Sequence, residues 1–78
     1  MDSGKLADAE TVLVKTLDAS PKAAALWNNL GVVRARRGAH GEAIEAFQKA
    51  IDLDGNFEAA RNNMARAQQF AALDRAAS

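Results

Sequence analysis

The chain carries few side chains that could perform catalysis. His40 is its one histidine, and without cysteine it has neither a thiolate nor a disulfide. A catalytic or metal-binding histidine needs convergent partners, and no second histidine or paired acidic motif lies near His40 in the sequence. The sequence therefore predicts that His40 packs in a turn between two helices. It also predicts that the chain is not an enzyme and needs no cofactor or metal.

Three arginines, Arg34, Arg36 and Arg37, form the densest basic cluster. Such a cluster can bind an anionic ligand, or an RNA strand whose bases stack on aromatic side chains. Basic residues also stabilise the negative C-terminal end of a helix. Because ten basic residues balance ten acidic ones and aromatic residues are few, the second interpretation is favoured and no nucleic-acid partner is expected.

Two tandem asparagine pairs, Asn28 with Asn29 and Asn62 with Asn63, give the best indication of function. Asparagine is a mediocre helix former, so two pairs within helices need a reason. Its amide both donates and accepts hydrogen bonds, and it can therefore hold a peptide backbone whatever the peptide's side chains. Alternatively, one member of each pair bridges neighbouring helices. Both interpretations remain open at this point.

Four segments with apolar residues at helical spacing must position these side chains. The first helix should end near Ala19, and the fourth should run to about Ala76 as a polar-faced cap. Ser20 followed by Pro21 predicts the start of the second helix, since serine caps free amides and proline suits a first turn. Asn56 predicts the start of the fourth helix in the same way. The fold class is all-α, with about four helices joined by short loops.

An internal repeat with a period of 34 residues runs through the chain. This period relates the two asparagine pairs to each other. The same shift relates several further positions: Gly4 to Gly38, Ala9 to Ala43, Lys15 to Lys49, Asp18 to Asp52 and Ala25 to Ala59. A fixed period of this length is typical of helical repeat arrays.

Six residues within this period reproduce the tetratricopeptide pattern: Trp27, Leu30, Gly31, Ala43, Phe47 and Ala50. The chain therefore resembles a tetratricopeptide-repeat protein over nearly its whole length. The resemblance implies one domain, residues 1–78, built as an α-solenoid of antiparallel helical hairpins in a superhelix. Residues 4–23 would form the second helix of a repeat and 24–57 a complete repeat. Residues 58–77 would supply the first helix of the next repeat and a C-terminal cap.

Packing follows from the same resemblance. Gly31 and Ala43 should let two antiparallel helices approach closely, while Trp27, Leu30 and Phe47 fill the space between them.

The sequence departs from the family pattern in three respects. Gly55 stands where the family places a proline, which should loosen that turn. Arg34 stands where a tyrosine is typical, so the packing there should be thinner or partly solvated. Some chaperone-binding members hold a C-terminal carboxylate in a clamp of basic residues and asparagines. Ala59 and Asn63 replace basic residues that this clamp requires, so a carboxylate clamp for heat-shock chaperones is not expected.

The resemblance also implies a function and a site. In tetratricopeptide-repeat proteins, the first helices of successive repeats line a concave groove that receives an extended peptide. Eight residues would project toward it here: Asn28, Asn29, Val32, Arg36, Asn62, Asn63, Arg66 and Gln69. The expected function is a protein–protein interaction scaffold with a protein or peptide partner.

The alternative is a structural or oligomerisation segment of a larger repeat protein, without a ligand of its own. The helix that would cover Leu6 and Leu13 is missing, so the first helix should pair with a second copy or belong to a longer array. Binding of RNA or another anion is the least expected role. No apolar run is long enough to span a membrane, and residues 1–4 lack the features of a signal peptide. No membrane partner is expected, and a cytoplasmic location is favoured.

Overall fold

The computed structural model describes residues 3–77, which form four α-helices. In chain order these are α1 (Ser3–Ala19), α2 (Ala24–Arg36), α3 (His40–Leu53) and α4 (Glu58–Ala77). The prediction of an all-α fold with four helices is confirmed. Met1, Asp2 and Ser78, which the expected domain includes, lie outside the described residues. Each helix packs on the next, and α2 also contacts α4.

The core consists of two clusters that both draw on α3. The first is formed by buried residues of α1, α2 and α3: Leu17, Leu30 and Ala46. The second is formed by buried residues of α3 and α4: Ala43, Phe47 and Ala67. Partly buried residues of α2 pack against both clusters. The α2–α3 hairpin is therefore the centre of the molecule, with α1 and α4 attached to it.

The two helices of this hairpin approach closely at Gly31. Three ring atoms of Phe47 lie within 3 Å of the place where a side-chain Cβ would stand on Gly31, Cζ at 2.8 Å. The ring itself is 1% exposed, and Ala43 is fully buried. Because only a hydrogen fits on Gly31, the predicted close approach at Gly31 and Ala43 is confirmed.

Trp27 has a different place from the one expected. Leu30 and Phe47 are almost completely buried between the helices, but Trp27 is only partly buried and packs against the edge of the first cluster. Its indole N–H donates a hydrogen bond to the carbonyl of Pro21 at 2.8 Å. Lys49 Nζ lies 6.0 Å from the centre of its ring. Trp27 therefore fastens the α1–α2 loop to the hairpin instead of filling its centre.

The start predicted for α2 was wrong. The helix begins at Ala24, and Ala23 occupies the N-cap position without a side-chain hydrogen bond. Ser20 and Pro21 instead form a turn that is closed by a hydrogen bond from the Ala23 amide to the Ser20 carbonyl at 3.2 Å. The fixed φ of proline suits the second position of such a turn as well as it suits a first helical turn.

The loop before α4 repeats this turn. The Phe57 amide donates to the Asp54 carbonyl at 3.1 Å, and Gly55 takes the place that proline has in the earlier loop. Asn56 does not cap α4, contrary to prediction: its own amide donates to Asp54 Oδ1 at 3.2 Å. The helix starts after Phe57, whose carbonyl accepts the first helical hydrogen bond from Arg61. The Arg61 guanidinium also donates twice to the Gly55 carbonyl, at 3.0 and 2.7 Å, and so holds the turn.

A glycine ends α2 in the left-handed conformation. Gly38 has a φ of +84°, and its amide donates to the Ala35 carbonyl at 3.0 Å. The Ala39 amide donates to the Arg34 carbonyl at 2.9 Å, which completes a Schellman motif. His40 follows as the first residue of α3, not as a turn residue as predicted. After this Schellman motif one residue, Ala39, separates Gly38 from the start of α3.

The last helix continues past Ala72, where the period would place a turn, and ends at Ala77. Its length agrees with the predicted end near Ala76. Ala60 and Ala67 are buried on one face of α4. Four polar residues of this helix are exposed, in agreement with the predicted polar face: Arg61, Asn62, Arg66 and Gln69. Within residues 3–77, no helix combines the length and apolar character needed to cross a membrane.

Candidate functional site

A groove of about 380 Å³ lies between α2 and α4, and α3 closes its base. We call it the α2–α4 groove. Its apolar floor is formed by Val32, Ala35, Phe47 and Ala67. All four belong to the second core cluster or pack against it. Because this floor is part of the core, the groove is formed before any ligand arrives.

Two arginines on facing helices line the groove, Arg36 on α2 and Arg66 on α4. Both side chains are exposed. Among the residues that the structure describes, neither guanidinium forms a hydrogen bond or an ion pair. Guanidinium groups form their strongest hydrogen bonds with carboxylate and phosphate. The groove therefore presents two positive charges that are available to an anionic group.

An aromatic pair completes the lining. The rings of His40 and Phe70 stack with centroids 5.4 Å apart and an interplanar angle of 16°. Phe70 remains 48% exposed. His40 Nε2 lies 3.9 Å from Asp74 Oδ2, and its buried Nδ1 has no hydrogen-bond partner in the described structure. The pair thus offers a flat, mostly apolar wall.

No metal site accompanies this histidine in the described part of the chain, where no group of three or more His, Cys, Asp or Glu side chains could hold an ion. The groups beside the His40 ring are an aromatic ring and a single carboxylate. The stacking of His40 on Phe70 agrees with the packing role expected for this residue. Its position in α3, and not in a turn, was not predicted.

The tandem asparagines divide between two roles. Asn63 Nδ2 donates a hydrogen bond of 3.1 Å to Asn28 Oδ1, and this partly buried bond joins α4 to α2. One member of each pair therefore bridges neighbouring helices, which is one of the two interpretations left open by the sequence. The bond leaves the Asn28 amide N–H groups and Asn63 Oδ1 available for further hydrogen bonds. Asn29 and Asn62 are exposed on the helix surfaces.

The structure brings together about half of the eight residues predicted for binding. Four of them line the groove: Val32, Arg36, Asn63 and Arg66. Asn28 joins them through its bond to Asn63. The remaining three are exposed but do not line the groove: Asn29, Asn62 and Gln69.

Sequence reasoning missed the aromatic wall, His40 and Phe70. The repeat itself contained a signal for Phe70, because the shift of 34 residues relates it to Arg36, which was predicted for the groove. His40 had no such signal, since it was assigned to a turn.

In the basic cluster at the end of α2, one acidic residue pairs with two of the three arginines. Glu10 of α1 accepts a hydrogen bond from Arg34 Nε at 3.2 Å and pairs with Arg37 Nη1 through its other oxygen. Arg34 also donates to the Glu42 carbonyl at 3.3 Å. Arg34 and Arg37 therefore join α1, α2 and α3, while Arg36 alone of the cluster faces the groove. Arg34 is 19% exposed, in agreement with the partly solvated packing expected at this position.

Comparison with known families adds one match. The family model described as tetratricopeptide repeat matches residues 1–56, which is more than half of the chain. The matched range contains α1, α2 and α3 and ends before α4. No curated protein matches the chain. Arg36 therefore lies within the matched range, whereas Arg66 and Phe70 lie beyond it.

Proposed function

The chain belongs to the tetratricopeptide-repeat family, whose repeats are typically non-catalytic scaffolds for protein–protein interaction. We propose that it binds an extended peptide segment of a partner protein in the α2–α4 groove. In this proposal residues 24–57 are the complete repeat. Residues 4–23 are the second helix of the preceding repeat, and residues 58–77 are the first helix of the next one together with a cap. The equivalent turns before α2 and α4 support this division.

The observation that carries the proposal is the composition of the groove. Ligand sites in proteins have volumes of roughly 300–1,000 Å³, with apolar walls and a few polar groups that fix orientation. The α2–α4 groove, at about 380 Å³, has an apolar floor with Asn63, Arg36 and Arg66 along it. This combination suits the side chains and the backbone of a short peptide stretch.

The asparagine bridge supports a backbone-binding role. The bond between Asn28 and Asn63 holds both amides in one orientation. A polar group whose rotamer is already fixed loses less conformational entropy when it binds a ligand. The unused amide atoms of this bridge are therefore suited to hydrogen-bond a peptide backbone.

A random peptide library displayed on phage tests the proposal. The immobilised protein should enrich peptides whose affinity falls on the order of tenfold in Phe70→Ala, as expected when an aromatic contact is truncated. Leu73→Ala is the matched control, because Leu73 is an exposed apolar residue of α4 outside the groove. Thermal melts followed by circular dichroism should show both variants folded. Failure to enrich any peptide, or equal binding to both variants, would contradict the proposal.

The exposed valines of α1 favour a second candidate function, that of an oligomerisation segment. Val12 is 62% exposed and Val14 is 39% exposed. Leu13, by contrast, is partly buried and packs against the first core cluster. A charge at Val12 or Val14 therefore tests self-association without damaging the core. If α1 pairs with a second copy, light scattering will show a concentration-dependent dimer that Val12→Asp abolishes; a monomer at all concentrations would exclude this function.

A further inference from the structure

We infer that the α2–α4 groove selects peptides in which a carboxylate side chain stands beside an apolar one. This inference rests on the proposed peptide-binding function and adds the chemistry of the partner. It follows from the distribution of charge and apolar surface around the groove.

Positive charge is concentrated in the groove although the chain as a whole is neutral. Arg36 and Arg66 line it, and among the described residues no acidic side chain does. Two arginines outside it, Arg34 and Arg37, already contact a carboxylate, that of Glu10, which they share. The local charge is therefore two positive units that no described residue neutralises.

Two acidic residues near this end of the molecule, Asp74 and Glu42, lie outside the groove lining. Asp74 lies one turn beyond Phe70 on α4, with Oδ2 3.9 Å from His40 Nε2, and is not part of the lining. Glu42, near the start of α3, is exposed and also lies outside the lining. In the described lining, an incoming carboxylate would therefore find two guanidinium groups and no carboxylate.

The surroundings of the two arginines determine what accompanies the carboxylate. Val32, Ala35 and Ala67 form apolar surface next to the charges, and the exposed face of Phe70 extends it. Apolar surface excludes water and strengthens a nearby charge pair. A leucine-like side chain on the floor, with an acidic neighbour at the arginines, would use both features together.

A nucleic acid fits these features less well than an acidic peptide. Binding of single-stranded RNA depends on several aromatic platforms and on a broadly basic surface. Phe70 is the exposed aromatic ring of the groove, and one of its faces is already occupied by His40. The aromatic residue of the floor, Phe47, is 1% exposed and therefore offers no face on which a base could stack.

The test compares two fluorescent peptides of equal length with blocked termini. One alternates glutamate with leucine, and the other has glutamine in place of each glutamate. We expect the glutamate peptide to bind the full chain about tenfold more tightly in fluorescence anisotropy, as charge-assisted hydrogen bonds imply. Added salt should weaken the glutamate peptide's binding selectively.

Matched variants test whether Arg36 and Arg66 cause the preference for the glutamate peptide. In Arg36→Gln combined with Arg66→Gln, the two peptides should bind equally, because the source of discrimination is gone. Charge reversal to glutamate at both positions should favour a lysine–leucine peptide. Lys22→Gln removes an exposed positive charge in the α1–α2 loop, away from the groove lining, and should leave the preference unchanged. Both arginines are exposed and have no ion pair with another described residue, so these variants should melt close to the parent.

The remaining outcomes separate this inference from the proposed function. Equal binding of both peptides, weakened by Phe70→Ala, would overturn the carboxylate selectivity and leave peptide binding intact. Absence of binding by these peptides and by library peptides would overturn both. If the glutamine peptide with a free C-terminus bound as tightly as the glutamate peptide, the groove would recognise a terminal carboxylate and not a side-chain carboxylate. Binding of fluorescent oligouridine with the same arginine dependence, and none of the glutamate peptide, would assign the groove to RNA.

Discussion

At the scale of single residues, Gly31 sets the distance between α2 and α3. A methyl group at this position would stand within 3 Å of the buried Phe47 ring, so the ring or one of the two helices would have to shift. We expect Gly31→Ala to lower the free energy of unfolding by about 1–3 kcal/mol, the usual cost of overpacking a core. Urea denaturation followed by circular dichroism measures this change.

Gly41 supplies the control for that experiment. It also lies in a helix, but beyond its chain neighbours and the backbone of its own helix, no described atom comes within 4 Å of the place for its Cβ. Gly41→Ala should be neutral or stabilising by up to about 1 kcal/mol, because alanine is the better helix former. In a Phe47→Leu background, Gly31→Ala should cost less than in the parent. Equal effects of the two glycine substitutions would mean that the Phe47 ring does not restrict α2.

The contact between Gly31 and Phe47 could be predicted from the sequence, because both residues belong to the tetratricopeptide pattern. The ion pair of Glu10 with Arg34 could not. A shift of 34 residues carries Glu10 to Ile44 and Arg34 to Gln68, so the pair occurs once and leaves no periodic trace. The stacked rings of His40 and Phe70 were missed because His40 was assigned to a turn, whereas it begins α3 and packs against α4.

At the scale of the elements, Glu10 fastens α1 to the end of α2. Its carboxylate is 18% exposed and serves Arg34 and Arg37 together. We expect Glu10→Gln to lower the free energy of unfolding by about 1–3 kcal/mol, because it leaves the partly buried Arg34 without its charged partner. Asp8→Asn is the control: Asp8 is exposed on the same helix, so its change should stay within about 0.5 kcal/mol. Similar losses for both variants in chemical denaturation would contradict a specific role of Glu10.

The equivalent turns before α2 and α4 allow a stabilising substitution. Gly55 takes the place of Pro21, its Cβ position is open, and its amide donates no backbone hydrogen bond within the described residues. Asp54 before it is extended, as a residue preceding proline should be. Gly55→Pro should therefore raise the free energy of unfolding by about 0.4–1 kcal/mol, since it restricts the unfolded chain.

The next position in the same turn gives the opposite expectation. Asn56→Pro removes the amide that donates to Asp54 Oδ1, and proline is disfavoured at this place in the turn. Thermal melts of the two proline variants should shift in opposite directions. Two shifts of the same sign would mean that the turns at Ser20 and Asp54 are not equivalent.

The four helices could be predicted from their apolar spacing, whereas their first residues could not. Both helix starts that carried a polar signal were misplaced, because Ser20 and Asn56 take part in turns before the helix begins. The N-caps of α2 and α3 are Ala23 and Ala39, which make no side-chain cap bond. Packing of a helix face supplies most of its stability, and it can fix where a helix begins without a capping side chain.

At the scale of the whole molecule, the α2–α3 hairpin holds both core clusters, while α1 and α4 each contribute to one. Local opening is easiest where few residues are buried. We therefore expect amide hydrogen exchange to be slowest around Leu30 and Phe47, which are each 1% exposed. It should be fastest at residues 4–8 of α1 and 72–76 of α4, which are mostly exposed.

This exchange experiment, followed by NMR at two protein concentrations, also tests the oligomerisation function. Exchange at the amides of α1 that is equally fast at both concentrations would show that its exposed valines stay in water. Slower exchange confined to α1 at the higher concentration would show that a second copy covers that helix. In dilute protein, protection at residues 4–8 equal to that of α3 would contradict the expected order of stability. Among the described side chains of α1, Leu17 is the one that the core buries.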